Sequence, residues 1–153
     1  AVAVELKKDV DFNISIFANN TSISLTTEVI NTVNNDYNIV VCLTESHIIN
    51  WQKDGQIEDS TYEHNHVLRV ILNTTFGEAI GNSFVDGDIW EKDYPIDITT
   101  LENENENYSL NTLFMGNGNC KGWNEDNMKI VVYIYTTNNY EIVQVEEIHL
   151  TNH

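Results

Sequence analysis

Val10-Asp11-Phe12-Asn13-Ile14-Ser15-Ile16 sets an apolar side chain at every second position, and Ser22-Ile23-Ser24-Leu25-Thr26-Thr27-Glu28-Val29 repeats the pattern. Successive side chains of an extended chain point to opposite faces. Period-two alternation therefore predicts strands with one face buried and one face wet. Asn38 to Thr44 is a more continuous apolar run, suited to a central strand covered on both faces. Val67 to Leu72 and Ile130 to Tyr135 look similar, and Glu141 to Leu150 reads as a half-exposed strand. Asn138-Asn139 lies between the last two runs. Asn tolerates positive φ, which predicts a two-residue hairpin turn. Helical period is scarce. Ser46 to Gln52 offers one or two turns with Ser46 as cap. Short strands broken by Asn, Asp and Gly clusters predict an all-β fold: a two-sheet antiparallel β-sandwich, Ig-like or jelly-roll, with at most one short helix.

The 153 residues suit one domain, read as a single β-sandwich over residues 1–153. A chain of that size buries roughly 68–70% of its unfolded surface, so its core needs neither disulfide nor metal. The formal net charge is -17, from 7 basic and 24 acidic residues. That balance argues against nucleic acid and against anionic membrane surfaces; it leaves cations, basic proteins and neutral sugars. With 41% hydrophobic residues the chain is expected to fold. No apolar run is long enough to span a bilayer, so direct membrane insertion of this domain is not expected. The strand-like start Ala1-Val-Ala-Val4 carries no signal peptide. It reads as a mature or excised piece, the C-terminal part of a longer exported protein. Cys42 and Cys120 could form one bridge in an oxidising compartment, or could be a buried strand thiol and a loop residue.

Three loops are expected: Gly81 to Pro95, Leu101 to Tyr108 with alternating Glu and Asn, and Gly116 to Asn127. The first carries Asp86, Asp88 and Glu91, which resemble the start of a calcium loop but lack its full pattern, so an acidic turn is the competing account. His64 and His66 would share one face of a strand and could reach one metal. They would need a third ligand from an adjacent strand, His47 or a carboxylate. Otherwise one imidazole bonds across the sheet and the other lies at a strand edge. Trp51, Trp90 and Trp123 lie in or near loops and are candidates for ligand stacking, although such rings often pack beneath loops. Arg69, within an apolar run, calls for a carboxylate partner, with Glu78 or Glu45 available. Gly77 marks the turn that ends that run. No nucleophile elbow, thiol-protease motif or phosphate-binding glycine loop is present.

Tyr62-Glu-His-Asn-His-Val-Leu-Arg-Val70, with Thr75-Phe-Gly-Glu78 after it, resembles the C-terminal domain of the 28-kDa outer-membrane-protein family of Bacteroidetes. Val40-Val-Cys-Leu-Thr-Glu45, Trp51-Gln52, and the pair Met128 to Tyr135 and Glu141 to Ile148 are similar to that family's flanking strands. The likeness runs from about Ile39 onward. His64, His66, Leu68, Arg69, Gly77 and Glu78 match its signature. The resemblance implies an exported β-sandwich at the outer membrane or cell surface, often part of a lipoprotein, with a thioredoxin-like domain frequently upstream. It assigns no catalytic residues. The favoured reading is a non-catalytic surface module that binds a glycan or protein, or serves assembly. The competing reading is a metal-binding domain or metal-dependent hydrolase centred on His64 and His66.

Overall fold

The computed structural model describes residues 9–19, 21–112 and 120–150. The strand-like start at Ala1 and the first part of the Gly116–Asn127 loop lie outside them. Its elements are β1 (Phe12–Asn19), β2 (Ser22–Val29), β3 (Tyr37–Glu45), β4 (Ile48–Asp54), β5 (Ile57–His64), β6 (Val67–Ile71), β7 (Glu78–Gly81), β8 (Ile89–Pro95), α1 (Ile98–Asn111), β9 (Met128–Thr136) and β10 (Ile142–His149). One layer is a three-stranded sheet in the order β1-β2-β8. The other is five-stranded, in the order β10-β9-β3-β6, with β7 also paired to β3. A separate two-stranded sheet joins β4 and β5. All the pairings are antiparallel.

The core is the contact between the two larger layers. Phe12, Ile14, Ile23, Leu25 and Val29 from one sheet pack against Ile39, Val41, Leu43, Met128, Ile130, Val132 and Ile134 from the other. These are the inward positions of alternating strands, as the period-two pattern requires. β3 differs, because its opposite face is also covered: Val40, Cys42 and Thr44 are buried there.

Four local expectations give way. Leu101 to Tyr108 is helix α1, not a solvated connection. Its buried and half-buried positions, Ile98, Leu101, Glu102, Asn105, Glu106 and Ser109, follow a helical period, yet most are polar, so no apolar stripe announced them. Asp97 caps the helix, its Oδ1 accepting the Thr100 N–H at 3.1 Å. Ser46–Gln52 is not helical, because from Ile48 the chain pairs with β5. Most of Gly81 to Pro95 is ordered as well. Residues Ile89 to Pro95 form β8, paired with β2 from Glu28↔Ile89 to Ser22↔Pro95. The last hairpin turns through Thr137–Glu141 rather than two residues. Tyr140, not an Asn, takes the positive φ of 60°.

Along one edge β3 pairs with β9 throughout. Along the other it pairs with β6 at Cys42–Glu45 and with β7 at Tyr37–Ile39. Asn73 fills the gap between those partners with its side chain. Its Nδ2 donates to the Ile39 carbonyl at 2.8 Å, and its Oδ1 accepts the Val41 N–H at 3.3 Å. Gly77 then returns the chain to β3 with φ +70°. A Cβ there would lie 2.2 Å from the Ile39 carbonyl oxygen, so both backbone conformation and space demand glycine. Gly77→Ala is expected to destabilise the fold by about 2–4 kcal/mol, combining left-handed strain with overpacking. A lower urea midpoint at unchanged m-value would register it.

Candidate functional site

The stretch from Tyr62 to Asn73 is chiefly scaffold. β5 ends at His64, whose ring lies edge-on to Tyr62 at 4.8 Å. Asn65 and His66 then turn the chain, with His66 at φ 55°. His64 and His66 therefore do not share a strand face, and the i, i+2 geometry assumed for a metal pair does not form. The turn is tied to the segment before β4. The His66 N–H donates to Ser46 Oγ at 3.1 Å, and the His47 N–H donates to Asn65 Oδ1 at 3.1 Å. His47 Nδ1 lies 2.6 Å from Glu63 Oε1. Among the described residues no three His, Cys, Asp or Glu side chains converge as a metal site.

Arg69 finds its carboxylate in Glu45, at 2.8 Å from Nε to Oε2. Glu45 is 3% exposed, and its other oxygen accepts the Asn124 N–H at 3.0 Å. The guanidinium also sits over the Trp123 ring, 5.6 Å from its centroid. Helix α1 completes the cluster. Asn105 donates to the Arg69 carbonyl at 2.9 Å, and Glu102 accepts the N–H groups of Gly122 and Trp123 at 2.6 and 3.0 Å. On the polar face of α1, Glu102 and Asn105 are satisfied by backbone partners and Glu106 by Lys121 at 2.7 Å, while the buried Ser109 hydroxyl has no partner among the described residues.

Glu78 reaches across the layers instead. It accepts hydrogen bonds from Lys92 and Tyr94 of β8. Burial alone would raise the Glu78 carboxyl, but the Lys92 and Tyr94 bonds, the Lys92 charge and Asn73 hold it below its ordinary value. Burial and the Glu78 carboxylate push the Tyr94 phenol up.

The acidic trio divides. Asp88 closes the turn before β8, accepting the Val85 N–H at 2.8 Å, while the Asp86 N–H donates to Thr32 Oγ1 at 3.2 Å. Glu91 lies on β8 and accepts the Thr26 hydroxyl at 3.3 Å. Of the tryptophans, Trp90 and Trp123 are half-buried against the core, and Trp51 stands in solvent on the β4–β5 hairpin. Cys42 is a free buried thiol. It faces the Val131 carbonyl at 3.6 Å and is pushed up in pKa by burial; no bridge joins it to Cys120.

The outer face of the five-stranded sheet carries a feature that sequence reasoning missed. Val40, Phe76, Tyr133, Tyr135, Tyr140 and Ile142 line an open depression of about 340 Å³, with Thr75 at its rim. Tyr135 is fixed by its hydroxyl, which donates to the Phe76 carbonyl at 2.7 Å and accepts from Asn38 Nδ2 at 3.2 Å. The Tyr140 ring stacks on it at 6.0 Å and 23° yet remains 72% exposed. Phe76 is equally open. Burial first, then Cys42 and Tyr135, pushes the Tyr133 phenol up in pKa, so it stays protonated. The lining contains neither a carboxylate nor an ammonium. A signal was present: Tyr133 and Tyr135 are spaced to share a face. The register that sets Ile142 opposite Tyr135, and the loop that brings Phe76 over, are tertiary facts.

The sequence model of the outer membrane protein family Omp28 matches residues 1–121. The match starts well before Ile39 and ends before β9. A solved domain of the outer membrane lipoprotein Omp28 from Porphyromonas gingivalis is similar at 17% identity, over 94% of this chain and 90% of that one, with a TM-score of 0.46. No curated protein matches the chain.

Arg69→Met leaves Glu45 buried without its cation and is expected to cost about 3–5 kcal/mol. Glu45→Gln with Arg69→Met should be less destabilised than the two single changes summed, by about 0.5–3 kcal/mol in a urea double-mutant cycle. Glu78 has a lowered folded-state value, so its contribution is present above the unfolded pKa of about 4.3 and is lost as pH falls through the folded value. The stability gap between wild type and Glu78→Gln should therefore be full at neutral pH and close progressively in acid. A gap that stays constant in thermal melts down that series would contradict the pairing.

Proposed function

We propose, from the premise that this chain belongs to the Omp28 outer membrane protein family and is an exported, outer-membrane-associated protein, that it is a non-catalytic binding module. Its ligand is an uncharged saccharide, taken at the depression around Tyr140. One observation carries this reading: a large aromatic ring is held face-outward at a left-handed backbone position. For a residue other than glycine that conformation costs about 1–2 kcal/mol. Strain of this kind clusters at ligand sites.

The chemistry of the lining favours a neutral ring. Tyrosine and phenylalanine offer broad apolar faces with polar tips, which suit the C–H face and the hydroxyls of a sugar. Tyr133 and Thr75 supply hydroxyl groups at the same place. A chain of net charge -17 repels acidic polysaccharides at long range. The lining provides no carboxylate to pair with a cationic ligand.

The test is a titration of neutral oligosaccharides, uronic-acid oligosaccharides and lysine-containing peptides, followed by tyrosine fluorescence and by chemical-shift mapping. Neutral sugars should saturate at Phe76, Tyr133 and Tyr140. Tyr140→Gly removes the ring and the strain together. Its Tm should be nearly unchanged, because the loss of roughly 0.5–1.5 kcal/mol of stacking offsets the relieved strain. Its affinity should drop roughly tenfold or more, equivalent to about 1.4 kcal/mol. Peptide binding in place of sugar, or an unaffected Tyr140→Gly variant, would count against the proposal.

A further inference from the structure

The β4–β5 hairpin stands apart from both layers. Its strands pair with each other from Ile48↔His64 to Asp54↔Ile57, and neither joins a larger sheet. Hydrogen bonds tie its base through Ser46, His47, Asn65 and His66. A two-stranded hairpin with nothing packed on it is at best marginally stable in water. This one nevertheless exposes Ile49 at 59%, Trp51 at 62% and Ile57 at 71%.

Every residue from Ile57 to Glu63 is exposed, and among the described residues β5 has β4 as its only strand partner. Among the described residues no strand covers its other edge, and of its backbone donors the Thr61 N–H is taken by Asp59. Proteins usually guard such an edge with lysine, proline or a covering element. Here β5 contains neither lysine nor proline. It carries Glu58, Asp59 and Glu63, and β4 adds Asp54. The single ammonium of the hairpin, Lys53, is engaged by Glu58 at 3.1 Å. Hydrogen bonds from the N–H and hydroxyl of Thr61 hold the Asp59 carboxyl below its ordinary value, so that acid stays charged.

We propose that the hairpin is a docking arm, whose β5 edge accepts an extended basic segment of a partner protein by strand addition. Only a polypeptide complements both the open backbone edge and the apolar side chains beside it. The acid groups select a segment rich in lysine or arginine. A second copy of this chain is disfavoured, because two acidic arms on bodies of charge -17 repel. Docking would set the new strand beside Ile57 and Tyr62 of β5 and give the hairpin a third strand, which removes its marginal stability.

The experiment uses the whole chain and three synthetic probes. One is a short strand-forming peptide alternating lysine with valine, the second has glutamate in place of lysine, and the third is the lysine peptide N-methylated at alternate residues. N-methylation keeps the charge and removes backbone donors, and it leaves the protein untouched. The lysine peptide should bind, more weakly as salt rises. The N-methylated peptide should bind roughly tenfold or more weakly if backbone pairing carries the affinity. The glutamate peptide should not bind, and Ile57→Ser with Tyr62→Ser should reduce lysine-peptide binding while the melting curve of the body is retained. Equal binding of the lysine and N-methylated peptides would reduce the effect to unspecific charge attraction and overturn the proposal. So would failure of the lysine peptide to bind, or concentration-dependent self-association through the arm in analytical ultracentrifugation.

Discussion

β3 is enclosed on all four sides, and the rest of the molecule answers to that enclosure. One face meets the opposing sheet through Ile39, Val41 and Leu43; the other buries Val40, Cys42 and Thr44. Its edges are held by β9 on one side and by β6 then β7 on the other. An enclosed strand cannot leave backbone groups unpaired without cost, so the break between β6 and β7 has to be bridged. Asn73 bridges it with a side-chain amide that imitates a peptide group. The return from Asn73 to β7 runs so close to β3 that Gly77 has no room for a Cβ.

The polar signature residues follow from the same constraint. Glu45 lies at the end of the enclosed strand, where a carboxylate must be buried. Burial of one charge obliges a partner, and Arg69, where the β3–β6 register shifts, reaches it. Trp123 covers the guanidinium and Asn124 occupies the second oxygen. Helix α1 then docks at this polar end through Glu102 and Asn105, with Ile98 and Leu101 against the core. Glu78 does comparable work at the other end of the same edge, linking β7 to β8 across the two layers. The segment that resembles a family signature is thus mainly a set of fastenings.

Functional surface is what these fastenings leave over. The outer sheet face next to β3 presents Tyr140 and Phe76, and the β4–β5 hairpin presents Trp51 and Ile57. The two sites differ in electrostatic character. The lining of the depression has no ionic group, whereas the hairpin is strongly acidic. The ligand classes proposed for them differ accordingly, an uncharged ring for one and a basic strand for the other.

The sequence alone determined the extended backbone of β1, β2, β3 and β9 and most of the inward residues of β1 and β2. Side-chain alternation is a local property, and burial merely enforces it. It also narrowed the partner of Arg69 to two carboxylates, because a buried cation leaves few chemical options. It did not reveal α1, whose docking face mixes Ile98 and Leu101 with Glu102, Asn105, Glu106 and Ser109, so polar residues break the hydrophobic period. Nor could it place His64 and His66, since a turn at Asn65 interrupts the spacing on which a shared face depends. The aromatic depression was settled only in three dimensions. Phe76, Tyr133, Tyr135 and Tyr140 come from three separate segments, and only strand register and the closeness of loops to β3 bring their rings together.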